Sequence, residues 1–253
     1  MSWCDKLAST PSVGLSFNKH FVSSSSILDA LAPLLNSWIV GKNDNFSLAK
    51  QDSFDIELTT EDGFYYGIDS EKVSVAFGHR MKIKPVSGSH PIVEMLSHPE
   101  PFTKLLPEVC KRVLDAANLV IDPKIRLLER IGIVSTTVVS EDEAPPGICR
   151  FIQYMSQPWD NKLDFYNFQV VSNLSENADW SDRCIHQITK TEASEELVTL
   201  KFDWQRIFKE KKSLTSIASL KGSLVSAQEA SLDYFEQLAE GNRFDREIIS
   251  KPS

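Results

Sequence analysis

Residues 53–84 read SFDIELTTEDGFYYGIDSEKVSVAFGHRMKIK, and their alternation decides the fold class. Phe54, Ile56 and Leu58 alternate with Asp55, Glu57 and Thr59, the period of a strand with one buried face. Glu61-Asp62-Gly63 supplies turn chemistry, because glycine takes the positive φ that a tight hairpin needs. Phe64, Tyr66 and Ile68 resume the alternation, and Asp69 to Lys72 makes a second turn. Val73, Val75, Phe77, His79, Met81 and Ile83 then share one parity, opposite Arg80, Lys82 and Lys84. The stretch predicts an antiparallel meander running to about Pro85.

Toward the N-terminus, residues 1–11 read as a short arm on which Trp3 can tuck against the domain. Val13, Leu15 and Phe17 predict a first strand, and Ser23 to Ser26 offer N-caps for a helix. That helix has Ile27, Leu28, Leu31, Leu34, Leu35 and Trp38 on one face, with Pro33 inside it. Downstream, a helix is predicted over Phe102–Ile121 and a β-branched strand over Arg126–Val139. Further strands are predicted at Leu163–Val171, Arg183–Thr191 and Glu196–Trp204, and a last helix at Leu214–Leu238, broken near Gly222. The fold class is α+β: antiparallel β-meanders packed against a few helices, with a long C-terminal helix. Two joined halves, 1–139 and 140–253, are expected to share one core, with the acidic and proline-rich Ser140–Gly147 between them. Each half holds a meander followed by a helix.

Composition narrows the function classes. The 253 residues are 42% hydrophobic and 25% charged, which describes an ordinary globular chain rather than a disordered one. The net charge of −8 disfavours nucleic acid as a partner unless a local basic patch overrides it. Cys4, Cys110, Cys149 and Cys184 are widely spaced with no CxxC pair, so free thiols in a reducing compartment are expected. No apolar run has signal-peptide or membrane-span length. The expectation is a cytoplasmic protein with no membrane association.

Motifs for phosphate loops, dinucleotide folds, nucleophile elbows, zinc helices and calcium loops are missing, and no cofactor is expected. Binding candidates are the cations of two strands. Arg80, Lys82 and Lys84 fall on one strand face, where they can meet an acidic partner or guard an edge. Arg126 and Arg130 share parity with Glu129 opposite, a pattern that suits a bidentate anion site or a salt-bridged sheet edge. Reactive candidates are His79, on an apolar parity that suits a core histidine as well as a tuned base, and the pair Cys184 and His186. That pair points one way from a strand but lacks the further ligands zinc needs, so no metal site is assigned. Glu141-Asp142-Glu143 is an acidic run that water accommodates readily.

The segments Thr59-Thr60-Glu61-Asp62-Gly63, Leu128-Glu129-Arg130-Ile131-Gly132-Ile133, Leu200-Lys201-Phe202-Asp203-Trp204 and Leu232-Asp233-Tyr234-Phe235-Glu236 carry a resemblance. In order and character the chain resembles a sporadically distributed family of uncharacterised prokaryotic α+β proteins. That family shows an xDG hairpin, an RxGLRYxN-like strand, an FDxD-like late strand and a closing helix with an aromatic near its end. Here Ser135 and Thr136 stand where aromatic and asparagine residues are usual, and no second acid follows Asp203 closely. The resemblance implies architecture and a microbial setting akin to defence or mobile-element genes, with no activity to transfer.

These readings favour a non-catalytic interaction or recognition protein with a protein partner or self-association. Two rivals stand beside it. One is a metal-dependent nuclease or hydrolase whose dispersed site draws Glu57, Glu129 or Asp203 to a lysine or histidine. The other is a small-ligand protein with a pocket between sheet and helix.

Overall fold

The alternation in residues 53–84 holds through three strands and then stops. β3 (Ile56–Thr59), β4 (Phe64–Ile68) and β5 (Lys72–Phe77) form the meander, with Ile56 opposite Ile68 and Phe64 opposite Phe77. Gly63 takes φ 93° in the first turn, and Thr60 N–H donates to Phe64 O at 2.9 Å. After Phe77 the chain leaves this sheet. Gly78 N–H donates to Gly63 O at 2.9 Å, and a Cβ at Gly78 would lie 3.0 Å from the Tyr65 ring. The strand expected to run on through Ile83 is therefore two. β6 (Met81–Lys84) pairs instead with β7 (Ile92–Met95) in a separate two-stranded sheet.

The computed structural model describes residues 3–7, 9–41, 47–79, 81–84, 92–95, 100–122, 126–159, 163–191, 197–213 and 217–240. The remaining elements are α1 (Trp3–Lys6), β1 (Thr10–Phe17), α2 (Ser24–Gly41), β2 (Ser47–Gln51), α3 (Phe102–Val120), β8 (Leu127–Ser140) and α4 (Pro146–Ser156). They are followed by β9 (Tyr166–Glu176), β10 (Trp180–Lys190), β11 (Leu197–Ser213) and α5 (Ile217–Glu240). Nine strands make one antiparallel sheet in the order β2-β3-β4-β5-β1-β8-β11-β10-β9. The α+β class follows directly.

Burial shows why this sheet has one covered face. Pro11, Val13, Leu15 and Phe17 of β1 are buried, and Thr10, Ser12, Gly14 and Ser16 between them are half-buried. The same alternation runs through β5, β8 and β10. The covered side meets α3 at β1 and β5, and α5 at β8 and β11. α3 buries Phe102, Leu105, Leu106, Val109, Val113 and Ala117 at helical spacing, as its sequence predicts. One hydrophobic cluster contains Leu15 and Val75 from the N-terminal part together with Phe202, Trp204 and Phe235 from the C-terminal part.

Several elements were not expected. The N-terminal arm is the helix α1, anchored by Trp3 Nε1–H donating to Phe235 O at 2.6 Å. Asp5 caps α3 by accepting from Thr103 N–H at 2.9 Å. The acidic and proline-rich segment is a 3₁₀ turn followed by α4, with Pro146 opening the helix where a missing N–H costs nothing. α5 is continuous through Gly222.

The order of elements repeats in space. β1, α2, a meander ending in β5, and α3 form one unit; β8, α4, a meander ending in β11, and α5 form the next. In each unit the opening strand lies beside the last strand of its own meander, and the two opening strands β1 and β8 pair at the centre. Gly14 faces Gly132 there, so a local two-fold relation brings Val13-Gly14-Leu15 onto Ile131-Gly132-Ile133. On this topology β8 opens the second unit.

Candidate functional site

The uncovered face of the sheet carries the site. Across its middle, paired positions run Gly67, Ser74, Gly14, Gly132, Gln205 and Arg183. Glycine in mid-strand costs roughly 0.5–1 kcal/mol relative to alanine. At the central pair neither space nor backbone demands it. A Cβ on Gly132 would meet Asp203 Oδ1 at 3.7 Å, an ordinary contact. A Cβ on Gly14 would lie 3.0 Å from Lys72 Cε, the far end of a flexible side chain, and at ordinary contact, 3.8 Å, from Ser74 Cβ. What two facing glycines provide is a low floor, open to close approach from outside.

Charged side chains surround that floor. Lys72 reaches over Gly14, with Nζ 3.8 Å from where its Cβ would be. Arg130 Nη2 donates to Ser16 Oγ at 3.2 Å. Arg183 Nε donates to Gln205 Oε1 at 3.0 Å, and Gln205 Nε2 donates to Asp203 Oδ2 at 2.6 Å. A cavity of about 440 Å³ opens between Ser16, Lys72, Arg130, Arg183, Asp69 and Glu129, and a smaller one of about 80 Å³ lies over Gly14, Gly132 and Asp203.

Several cations elsewhere on the last strands are paired. Lys190 is bound to Glu141, Arg206 to Asp182, Lys209 to Glu176 and Lys211 to Glu129. Among the described residues, Lys72, Arg130, Arg183 and Lys201 form no ion pair within 4.0 Å. The acids at the rim are engaged otherwise: Glu129 by Lys211, Glu71 by Lys19 at 3.5 Å, and Asp69 by the Glu71 N–H at 2.7 Å. A protein of net charge −8 thus keeps unneutralised cations on one spot. Asp203 sits among them. Burial raises its carboxyl above the ordinary value, against the opposing pull of the Gln205 hydrogen bond and of Arg130, Lys201 and Lys72.

Of the binding and reactive candidates read from sequence, one joins this site among the described residues; of the carboxylates named for the hydrolytic rival, Glu129 and Asp203 line it. Arg130 lies at its centre. Arg126, expected beside it, precedes β8 and is buried at 4% exposure, where Nη1 donates to Asn18 O at 2.9 Å and Ser70 O at 2.6 Å. It ties three chain segments together, because a bulge between Ser16 and Phe17 shifts the register beyond Arg130. Arg80 lies outside the described residues. Lys82 and Lys84 are on β6, away from the nine-stranded sheet, so the expected cationic stripe does not continue β5. His79 follows the end of β5, half-buried, with its ring edge-on to Phe77 at 5.4 Å.

Cys184 and His186 point one way, as expected, but into the helix-covered core at 0% and 1% exposure. His186 Nε2 is 2.8 Å from Tyr234 Oη on α5, and its ring meets Phe202 edge-on at 5.7 Å. No three His, Cys, Asp or Glu side chains cluster to hold a metal ion among the described residues. Between sheet and α5, Phe202, Trp204 and Phe235 are buried, and a cavity of about 490 Å³ opens between α3 and α5 beside Leu224; the cavity at the cation cluster is on the opposite face. Of the carboxylates expected to converge with a base, Glu129 pairs with Lys211 at 2.5 Å and Asp203 meets the cation cluster.

Sequence reasoning missed Lys72, Arg183 and Gln205. Lys72 sat in an expected turn, and Arg183 and Gln205 come together only when β10 pairs β11. The available signal was Arg130, Gly132 and Asp203, which lie on two strands expected from sequence and meet here. No helix is long and apolar enough to cross a membrane among the described residues. Comparison with known proteins gave no match to a family model, to a curated protein or to a solved structure.

Proposed function

We propose that this is a non-catalytic recognition protein that takes an anionic group of its ligand or partner onto the centre of the open sheet face. One observation carries the reading: unpaired Lys72, Arg130 and Arg183 surround a glycine floor that the sheet has no steric need for. Guanidinium groups offer planar paired donors to phosphate or carboxylate, and a partly enclosed site strengthens them. The microbial cytoplasm and a defence or mobile-element system, implied by the family resemblance, form the context of this proposal.

The test is a titration of the ¹⁵N-labelled protein with inorganic phosphate at low salt. Shifts confined to residues 12–16, 72–74, 130–134 and 203–205, and lost in Arg130→Ala, are the expected result. Shifts scattered over surface lysines, or none, overturn the proposal. A hydrolytic reading has one supporting observation, the raised Asp203 carboxyl, which can carry a proton near a bound ester. Turnover of a phosphate ester by the wild type and its loss in Asp203→Asn would select that reading instead.

A further inference from the structure

Asp203 is out of place in a site for a bare anion. A carboxylate in the floor repels phosphate, and none of the three cations forms an ion pair with it within 4.0 Å. Its Oδ2 accepts from Gln205, while Oδ1 projects over Gly132 and accepts no hydrogen bond among the described residues. A free acceptor beside unpaired cations fits a ligand that is anionic at one end and a hydrogen-bond donor next to it. The cavity beside the cations agrees in size, and the hollow of about 80 Å³ that Asp203 lines adjoins it through Ser16, Lys72 and Arg130. Sites of roughly 300–1,000 Å³ take small organic molecules, and about 440 Å³ is much more than phosphate alone fills. Ser12 and Ser16 line the same surface with further hydroxyls.

We infer that the ligand class is a small phosphorylated hydroxy compound, with phosphate against Lys72, Arg130 and Arg183 and a neighbouring hydroxyl donating to Asp203 Oδ1. The inference rests on the anion-recognition reading above and narrows it. A polynucleotide offers the same phosphate and sugar chemistry, but the overall charge of −8 repels a long polyanion.

Calorimetric titration of the full chain with ribose 5-phosphate, inorganic phosphate, ribose and a single-stranded oligodeoxynucleotide separates the possibilities. Ribose 5-phosphate is expected to bind at least about tenfold tighter than phosphate. Asp203→Ala, which removes the acceptor, should bring the two within about threefold, and Arg130→Ala should weaken both. Gly132→Leu should block both while leaving the unfolding midpoint near that of the wild type. Equal affinity for phosphate and ribose 5-phosphate, or an unchanged ratio in Asp203→Ala, overturns this inference and leaves anion recognition standing. Tighter binding of the oligonucleotide than of ribose 5-phosphate overturns the small-molecule class. Failure of every anion to bind removes both readings.

Discussion

At the residue scale, two acids on the sheet have different partners. Asp182 is 7% exposed and accepts two parallel bonds from Arg206, Nε to Oδ1 and Nη2 to Oδ2, each at 2.8 Å. The guanidinium also donates to Ser226 Oγ on α5 at 2.9 Å and lies 4.7 Å from the Trp180 ring. Removing one partner of such a buried pair costs about 3–5 kcal/mol, while apolar replacement of both can be nearly neutral. Arg206→Ala is expected to lose stability in that range by urea unfolding, and Asp182→Leu with Arg206→Met to recover most of it. Failure of the double variant to recover would show that Ser226 and the tryptophans hold the site together. Asp203, in contrast, is raised by burial. The folded state then binds its proton more tightly than the unfolded chain. Stability falls as pH rises from the ordinary aspartate value, about pH 4, through the raised folded value, and the full penalty stays above it. Asp203→Asn lacks this penalty, so its stability relative to wild type should climb over that interval. Parallel stability–pH curves for the two proteins would refute it.

At the element scale, local chemistry explains most starts and stops. Ser23 caps α2 by accepting from Ser26 N–H at 3.3 Å, and Asp5 caps α3 from a different helix. α5 shows where local preference lost. Gly222 suggested a break, but flanking Leu220 and Leu224 are buried at 0% and 1%, and their burial holds the helix across it. A Cβ at Gly222 meets nothing within 4 Å. Gly222→Ala should therefore stabilise the protein by about 1 kcal/mol, read as a higher midpoint in thermal unfolding. No gain would mean that the helix is already as rigid there as alanine makes it. The meander, the stripe of α3 and the β-branched β8 were legible because their apolar residues repeat at the period of the element. α4 was not, since its prolines and the acidic run before it resemble a loop.

At the scale of the whole molecule, the two units bury their apolar faces together. Trp3 near the N-terminus bonds to the α5 backbone and meets Phe202 of β11 edge-on at 5.9 Å. β1 and β8 are neighbours in the centre of one sheet. Neither unit keeps its core if the other unfolds, so a single cooperative transition is expected, with tryptophan fluorescence and far-ultraviolet circular dichroism coinciding in urea. Two separated transitions would show that the units fold independently. The same arrangement puts the glycine floor on the seam, with Lys72 and Gly14 from one unit and Arg130, Gly132, Arg183 and Asp203 from the other.

By itself the sequence determined the class of the fold, the covered face of the meander strands β3 to β5 and the stripe of α3. Those depend on side-chain period, which is local. It also marked Arg130, although it paired that residue with Arg126, which a register shift turns into a buried staple. Tertiary structure alone decided the strand order, the departure of β6 from the main sheet and the meeting of Lys72, Arg130, Arg183 and Asp203. Residues up to 131 positions apart become neighbours there through strand pairing, and alternation says which face a side chain takes without saying which strand lies beside it.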